Sequence, residues 1–230
     1  MHPDLFKEFT DEPVHFHVEG AFRDISIQSL PTLAALHFSP NCTSTTKMAR
    51  ASHPRREEHG YVGVNSSEAA KDWDLDVDYF SRLIKDQRSR VDGRGKVGFT
   101  LEQPVTERAR KHHHIITLEL PCENGGCGAK RYTVDICQVG APQKKSTDFW
   151  VGGLDALVDM LRVKVDGQWK DRYLCPGTSA WHVHVPVQAT HAQPGIKTAS
   201  SVRFWPGLVS LLSNGISAGI TANMQQASLD

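Results

Sequence analysis

Residues 115–139 read IITLELPCENGGCGAKRYTVDICQV. Ile115 to Leu120 and Arg131 to Val139 are β-rich runs, and Glu123-Asn124-Gly125-Gly126 supplies turn residues between them. The stretch reads as a central β-hairpin. Tyr132, Val134 and Ile136 face its core, because alternate residues of a strand share a face. Working outward, Val97 to Leu101 is a further strand. Before it, Val77, Phe80, Leu83 and Ile84 recur at helical spacing, with Arg82, Lys85 and Arg88 elsewhere on the turn. Ser66 or Ser67 caps a short helix through Trp73, and Asp74 or Asp76 caps this stronger one. Asp92-Gly93-Arg94-Gly95 ends it with turn chemistry.

Beyond the hairpin, Leu154, Leu157, Val158 and Leu161 mark one side of a helix over 154–161. Val163 to Trp169 carries Asp166-Gly167 between alternating residues, a strong hairpin signal. Phe204 to Leu212 reads as a last helix with Pro206 in its first turn, ended by Ser213-Asn214-Gly215. The expectation is an α+β fold with a mainly antiparallel central sheet and three or four packed helices. One globular domain spans 1–215, with a mobile polar loop over about 39–60 and a frayed tail at 216–230.

A chain of 230 residues is ample for a core, and 39% apolar with 23% charged residues is ordinary for a globular protein. Lys plus Arg equals Asp plus Glu at 26 each, so no global charge argues for nucleic acid or a membrane surface. No apolar run approaches the ~18 residues of a membrane span. Met1 to Thr10 is too polar for a signal peptide, so the expected location is cytoplasmic or nuclear. Five cysteines without regular spacing argue against a disulfide framework.

The chemistry concentrates in histidines. Val14-His15-Phe16-His17-Val18-Glu19 and Trp181-His182-Val183-His184-Val185 each carry His-x-His in an alternating apolar run. In a strand this puts His15, His17 and Glu19 on one face, and pairs His182 with His184. Paired imidazoles can bind a metal or move protons.

His17-Val18-Glu19 followed by Pro121-Cys122-Glu123-Asn124-Gly125-Gly126-Cys127 resembles the motif pair of the zinc-dependent cytidine-deaminase-like superfamily. The resemblance covers about a dozen residues. It implies His17, Cys122 and Cys127 as Zn2+ ligands and Glu19 as the proton shuttle. The reading is a metal-dependent hydrolase, in its sharpest form a deaminase of a nucleobase-like substrate. The spacing departs from the family's, with four residues between the cysteines where two are usual.

Other arrangements stay open. The strand at His182 and His184 resembles that of His-hydrophobe-His metal nucleases, with His191 as a third ligand and Tyr79 or Tyr61 as nucleophile. The two His-x-His strands, if adjacent, form one metal centre. Cys175 with His182 or His184 is a thiol–imidazole pair that Asp171 would orient. Arg108 to His114 reads as an exposed basic turn. The alternative to catalysis is a protein-interaction domain whose His and Cys are structural. The partners are then a small-molecule or nucleotide-like substrate, or a protein, and no membrane.

Overall fold

Two facing apolar sets on alternate residues build the sheet. The computed structural model describes residues 22–42, 45, 61, 67–90, 97–177, 182, 184, 187–188, 196–197 and 206–227. The His-x-His run at 14–19, most of the 39–60 loop and the turn at 92–95 lie outside these residues.

The central sheet has four strands: β1 (Ala35–Phe38), β2 (Gly98–Pro104), β3 (Lys130–Asp135) and β4 (Ser146–Gly152), in the order β1-β2-β4-β3. β1 runs parallel to β2, and the other two pairings are antiparallel. A parallel pair needs a crossover, and α1 (Glu68–Arg90) lies within it. The sheet is therefore mainly antiparallel, as expected. Five α-helices are present among the described residues: α1, α2 (Glu107–Arg110), α3 (His113–Glu119), α4 (Asp155–Leu161) and α5 (Pro206–Ala227).

Register sorts the side chains. Leu101 pairs with Trp150 and Phe99 with Gly152, so Phe99, Leu101 and Trp150 share a face. They pack with Trp73, Val77, Phe80 and Ile84 of α1 and with Ile115 and Leu118 of α3. Tyr132 pairs with Phe149 on the opposite face, together with Val134 and Val151. These meet Leu154, Leu157, Val158 and Leu161 at α4, and Leu208, Leu211 and Leu212 of α5. Helices cover both faces, and each fully buried Leu or Phe contributes ~1.5–3 kcal/mol.

Three expectations are corrected. Ile115 to Leu120 is not a strand, because α3 occupies His113–Glu119. The His112 side chain caps it by accepting the His114 N–H at 3.3 Å. Ile115 and Leu118 are buried three residues apart while Ile116 is exposed, so tertiary burial selects the helical period over the alternating one. β3 therefore pairs with β4, and the hairpin closes through 136–145.

Next, Gly215 does not end the last helix, and 216–227 is not frayed. α5 runs to Ala227, and its glycines at 215 and 219 let it approach α4 closely. A Cβ on Gly215 would stand 2.4 Å from Leu157 Cδ1, and one on Gly219 2.7 Å from Leu154 Cδ2.

The third concerns 108–114. His112 is fully buried, with its Nε2 3.0 Å from Asp74 Oδ1. Burial, with His113 and His112 alongside, lowers the His114 pKa to about 4. Arg110 grips Asp148 through two bonds of 2.6 and 2.8 Å. This stretch is the capped seam between α2 and α3 and not a solvated basic face.

One expectation is met in part: the two helices expected around Trp73 and Asp74 are a single helix, α1, with Asp74 and Asp76 inside it and not at a cap, while Val77, Phe80, Leu83 and Ile84 are buried as expected. Other readings match the structure. β5 (Arg162–Val165) and β6 (Gln168–Asp171) form the hairpin around Asp166-Gly167. Both turn residues have positive φ, 51° and 79°, as a two-residue turn of this kind requires. A second small sheet pairs β7 (Val187–Gln188) with β8 (Ile196–Lys197) in parallel. Pro206 opens α5.

Candidate metal centre

β3 ends at Asp135, and the chain tightens at once into a 3-10 turn over Ile136–Val139. Ile136 is buried in the core, which leaves Cys137 at the sheet's end. The segment after β6 comes back to the same place. Asp135 N–H donates to the Tyr173 carbonyl at 2.9 Å, and Cys175 N–H donates to Asp135 Oδ2 at 2.7 Å. The Asp135 carboxylate also accepts the Ser146 hydroxyl and lies 3.7 Å from Lys144 Nζ. One buried carboxylate thus fixes the end of β3, the start of β4 and the backbone of Cys175.

His182 and His184 complete the cluster. Cys175 Sγ stands 3.2 Å from His182 Nε2 and 3.4 Å from His184 Nε2, and the two Nε2 atoms are 3.0 Å apart. The rings lie nearly perpendicular, at 86°. All four ligand atoms, Cys137 Sγ included, lie within 4.8 Å of one another. Cys175 Sγ also accepts the Gly177 N–H at 3.3 Å, and Gln138 Nε2 reaches His182 Nε2 at 3.5 Å. Burial and then the Cys175 thiol push the Cys137 thiol pKa up, so an unmetallated Cys137 holds its proton.

This group can hold a metal ion. Bond lengths of ~2.05 Å to nitrogen and ~2.3 Å to sulfur give tetrahedral edges of ~3.3 Å between nitrogens and ~3.6 Å between nitrogen and sulfur. The separations among Cys175, His182 and His184, 3.0–3.4 Å, come close to these, and Cys137 Sγ lies within 4.8 Å of the other three atoms.

The sequence-derived candidates divide. His182 and His184 are in the cluster, with their rings side by side. Cys122 and Cys127 are not. They flank a loop held by Arg88, which donates to Cys122 Sγ at 3.3 Å and to the Cys127 carbonyl at 2.7 Å. Cys127 is buried in the core beneath α1, and burial raises its thiol pKa. His15, His17, Glu19 and His191 lie outside the described residues, so the pairing of the two His-x-His strands does too. Among the described residues Asp171 orients no histidine. Its carboxylate accepts the Thr133 N–H at 3.0 Å. Tyr79 is buried, and its hydroxyl donates to the Ile25 carbonyl at 2.5 Å.

Sequence reasoning missed Cys137 as a ligand and took Cys175 only as a partner for histidine. The available signal was the Cys175-Pro176-Gly177 turn seven residues before His182. Cys137 gave none, since it reads as an interior residue of a strand.

No protein-family model, curated protein or solved structure matches the chain. No helix among the described residues is long and apolar enough to cross a membrane.

Proposed function

We propose that this protein is a zinc-binding domain whose Cys137, Cys175, His182 and His184 hold one structural Zn2+ ion, and that it acts as an interaction module and not as a hydrolase. The observation that carries the reading is the convergence of four N and S ligand atoms within 4.8 Å. Two thiolates and two imidazoles around one ion are a donor set that suits zinc. Such a set fills every position of the ion. Hydrolysis needs one position left for water, and the deaminase reaction needs a carboxylate to shuttle its proton. Asp135, the carboxylate beside the cluster, is already engaged by the Ser146 hydroxyl, the Cys175 N–H and Lys144. A structural ion here joins three stretches of the chain: the turn after β3, the segment after β6, and His182 with His184.

Elemental analysis of untagged protein is the test, with about one zinc per chain expected. His182→Ala is expected to lose the ion, while Cys122→Ser keeps it. A chain with no zinc, and none taken up on titration, would sink the reading. Loss of the ion in Cys122→Ser with retention in His182→Ala would favour the deaminase arrangement instead.

A further inference from the structure

We infer that the cluster is a thiol redox switch: a hydroperoxide converts Cys137 and Cys175 to a disulfide and thereby ejects the ion. The inference rests on the zinc reading above and adds regulation to it. Its basis is the pairing of the two thiols. Cys137 and Cys175 come from different loops, yet their sulfurs lie within 4.8 Å. A disulfide has an S–S bond of ~2.0 Å, so the sulfurs close by no more than ~2.8 Å. Cys175 and both histidines are only partly buried, which gives a small oxidant access to the attacking sulfur. By contrast Cys127, packed in the core at 1% exposure, is shielded.

The surroundings assign the order of events. Cys175 Sγ accepts the Gly177 N–H and is the more accessible of the two sulfurs, since Cys137 is the most buried member of the group. Cys175 is therefore the sulfur that attacks. Its thiolate forms an S–O bond with the hydroperoxide as the O–O bond breaks, giving a sulfenic acid and an alkoxide or hydroxide that takes a proton from solvent. The Cys137 thiolate then attacks the Cys175 sulfur. The S–S bond forms, the S–O bond breaks, and hydroxide leaves and is protonated to water. Two thiolates lose two electrons in total, and one hydroperoxide is reduced. Afterwards two neutral imidazoles remain as ligands, too few and too weakly charged to hold the ion. A dithiol reductant reverses the sequence and restores the site.

The experiment uses the full zinc-loaded chain treated with hydrogen peroxide. A chromogenic chelator reads released zinc, and peptide mapping reads the cysteines. The expected result is one zinc released per 137–175 disulfide formed, with re-uptake after dithiothreitol. Cys122→Ser is expected to match the native chain. In Cys137→Ser a dimedone-reactive sulfenic acid is expected to persist on Cys175. Zinc retained under peroxide, or released with the two cysteines overoxidised and unlinked, would overturn the switch while leaving the zinc reading intact. A starting protein without zinc would instead overturn the zinc reading itself. Where Cys137→Ser fails to fold, the map of the native chain still decides.

Discussion

At the scale of single residues, Asp135 and Asp148 show how buried carboxylates organise this protein. Asp148 lies within β4, fully buried, where Arg110 grips it through two bonds and the Thr133 hydroxyl donates to it at 2.7 Å. A charge is tolerated in a core strand when its partner and hydrogen bonds come with it. Asp135 does comparable work at the metal centre without being a ligand. It holds the Cys175 backbone, and residues that orient ligands govern affinity nearly as strongly as the ligands do. Asp135→Asn keeps the shape but loses the charge and one acceptor. Its zinc affinity is expected to fall by roughly tenfold or more, with the fold retained, as measured by chelator competition beside circular dichroism. Unchanged affinity would show that the Cys175 loop positions itself.

At the scale of elements, helix packing explains the two largest departures from the pattern read in sequence. Residues 115–120 satisfy both alternation and a three-residue spacing. The helix forms because Ile115 and Leu118 both reach the core beneath α1 and because His112 caps the first turn. In α5, glycine serves contact and not termination. Gly215 and Gly219 lie one turn apart on the face against α4. Alanine has a helix propensity better by ~1 kcal/mol, but here its methyl group would overlap Leu157. Gly215→Ala is therefore expected to destabilise by about 1–3 kcal/mol through overpacking, against a small gain for Ser213→Ala on the exposed side. Urea denaturation of both variants is the check, and a stabilised Gly215→Ala would mean that α5 does not pack closely on α4.

At the scale of the whole molecule, the ion and the fold are linked. A ligand bound only by the native state adds stability in proportion to RT ln(1 + [L]/Kd). Chelation is expected to lower the Tm of the native chain by several degrees and to leave a His182→Ala variant unmoved. Acid acts in the same direction, because the ligands bind metal only when deprotonated, so the difference between holo and apo Tm shrinks as pH falls. Equal Tm values with and without chelator would show that the cluster contributes nothing to stability.

What the sequence determined by itself is local: the α+β class, the apolar face of helix α1, the Asp166-Gly167 hairpin, the helix at 155–161, and the pairing of His182 with His184. Each follows from a period or a turn propensity confined to a few neighbouring residues. Tertiary structure decided the rest. β4 carries the centre of the sheet, but Asp148 interrupts its apolar run, and only Arg110, 38 residues away, makes that charge acceptable. Cys137 reads as one more strand residue until the chain turns after Asp135. Whether Cys122 or Cys137 joins a histidine depends on which loops the folded sheet brings to one end. That is set by long-range pairing of β3 with β4 and by a shared carboxylate, for which no short stretch of sequence carries a signature.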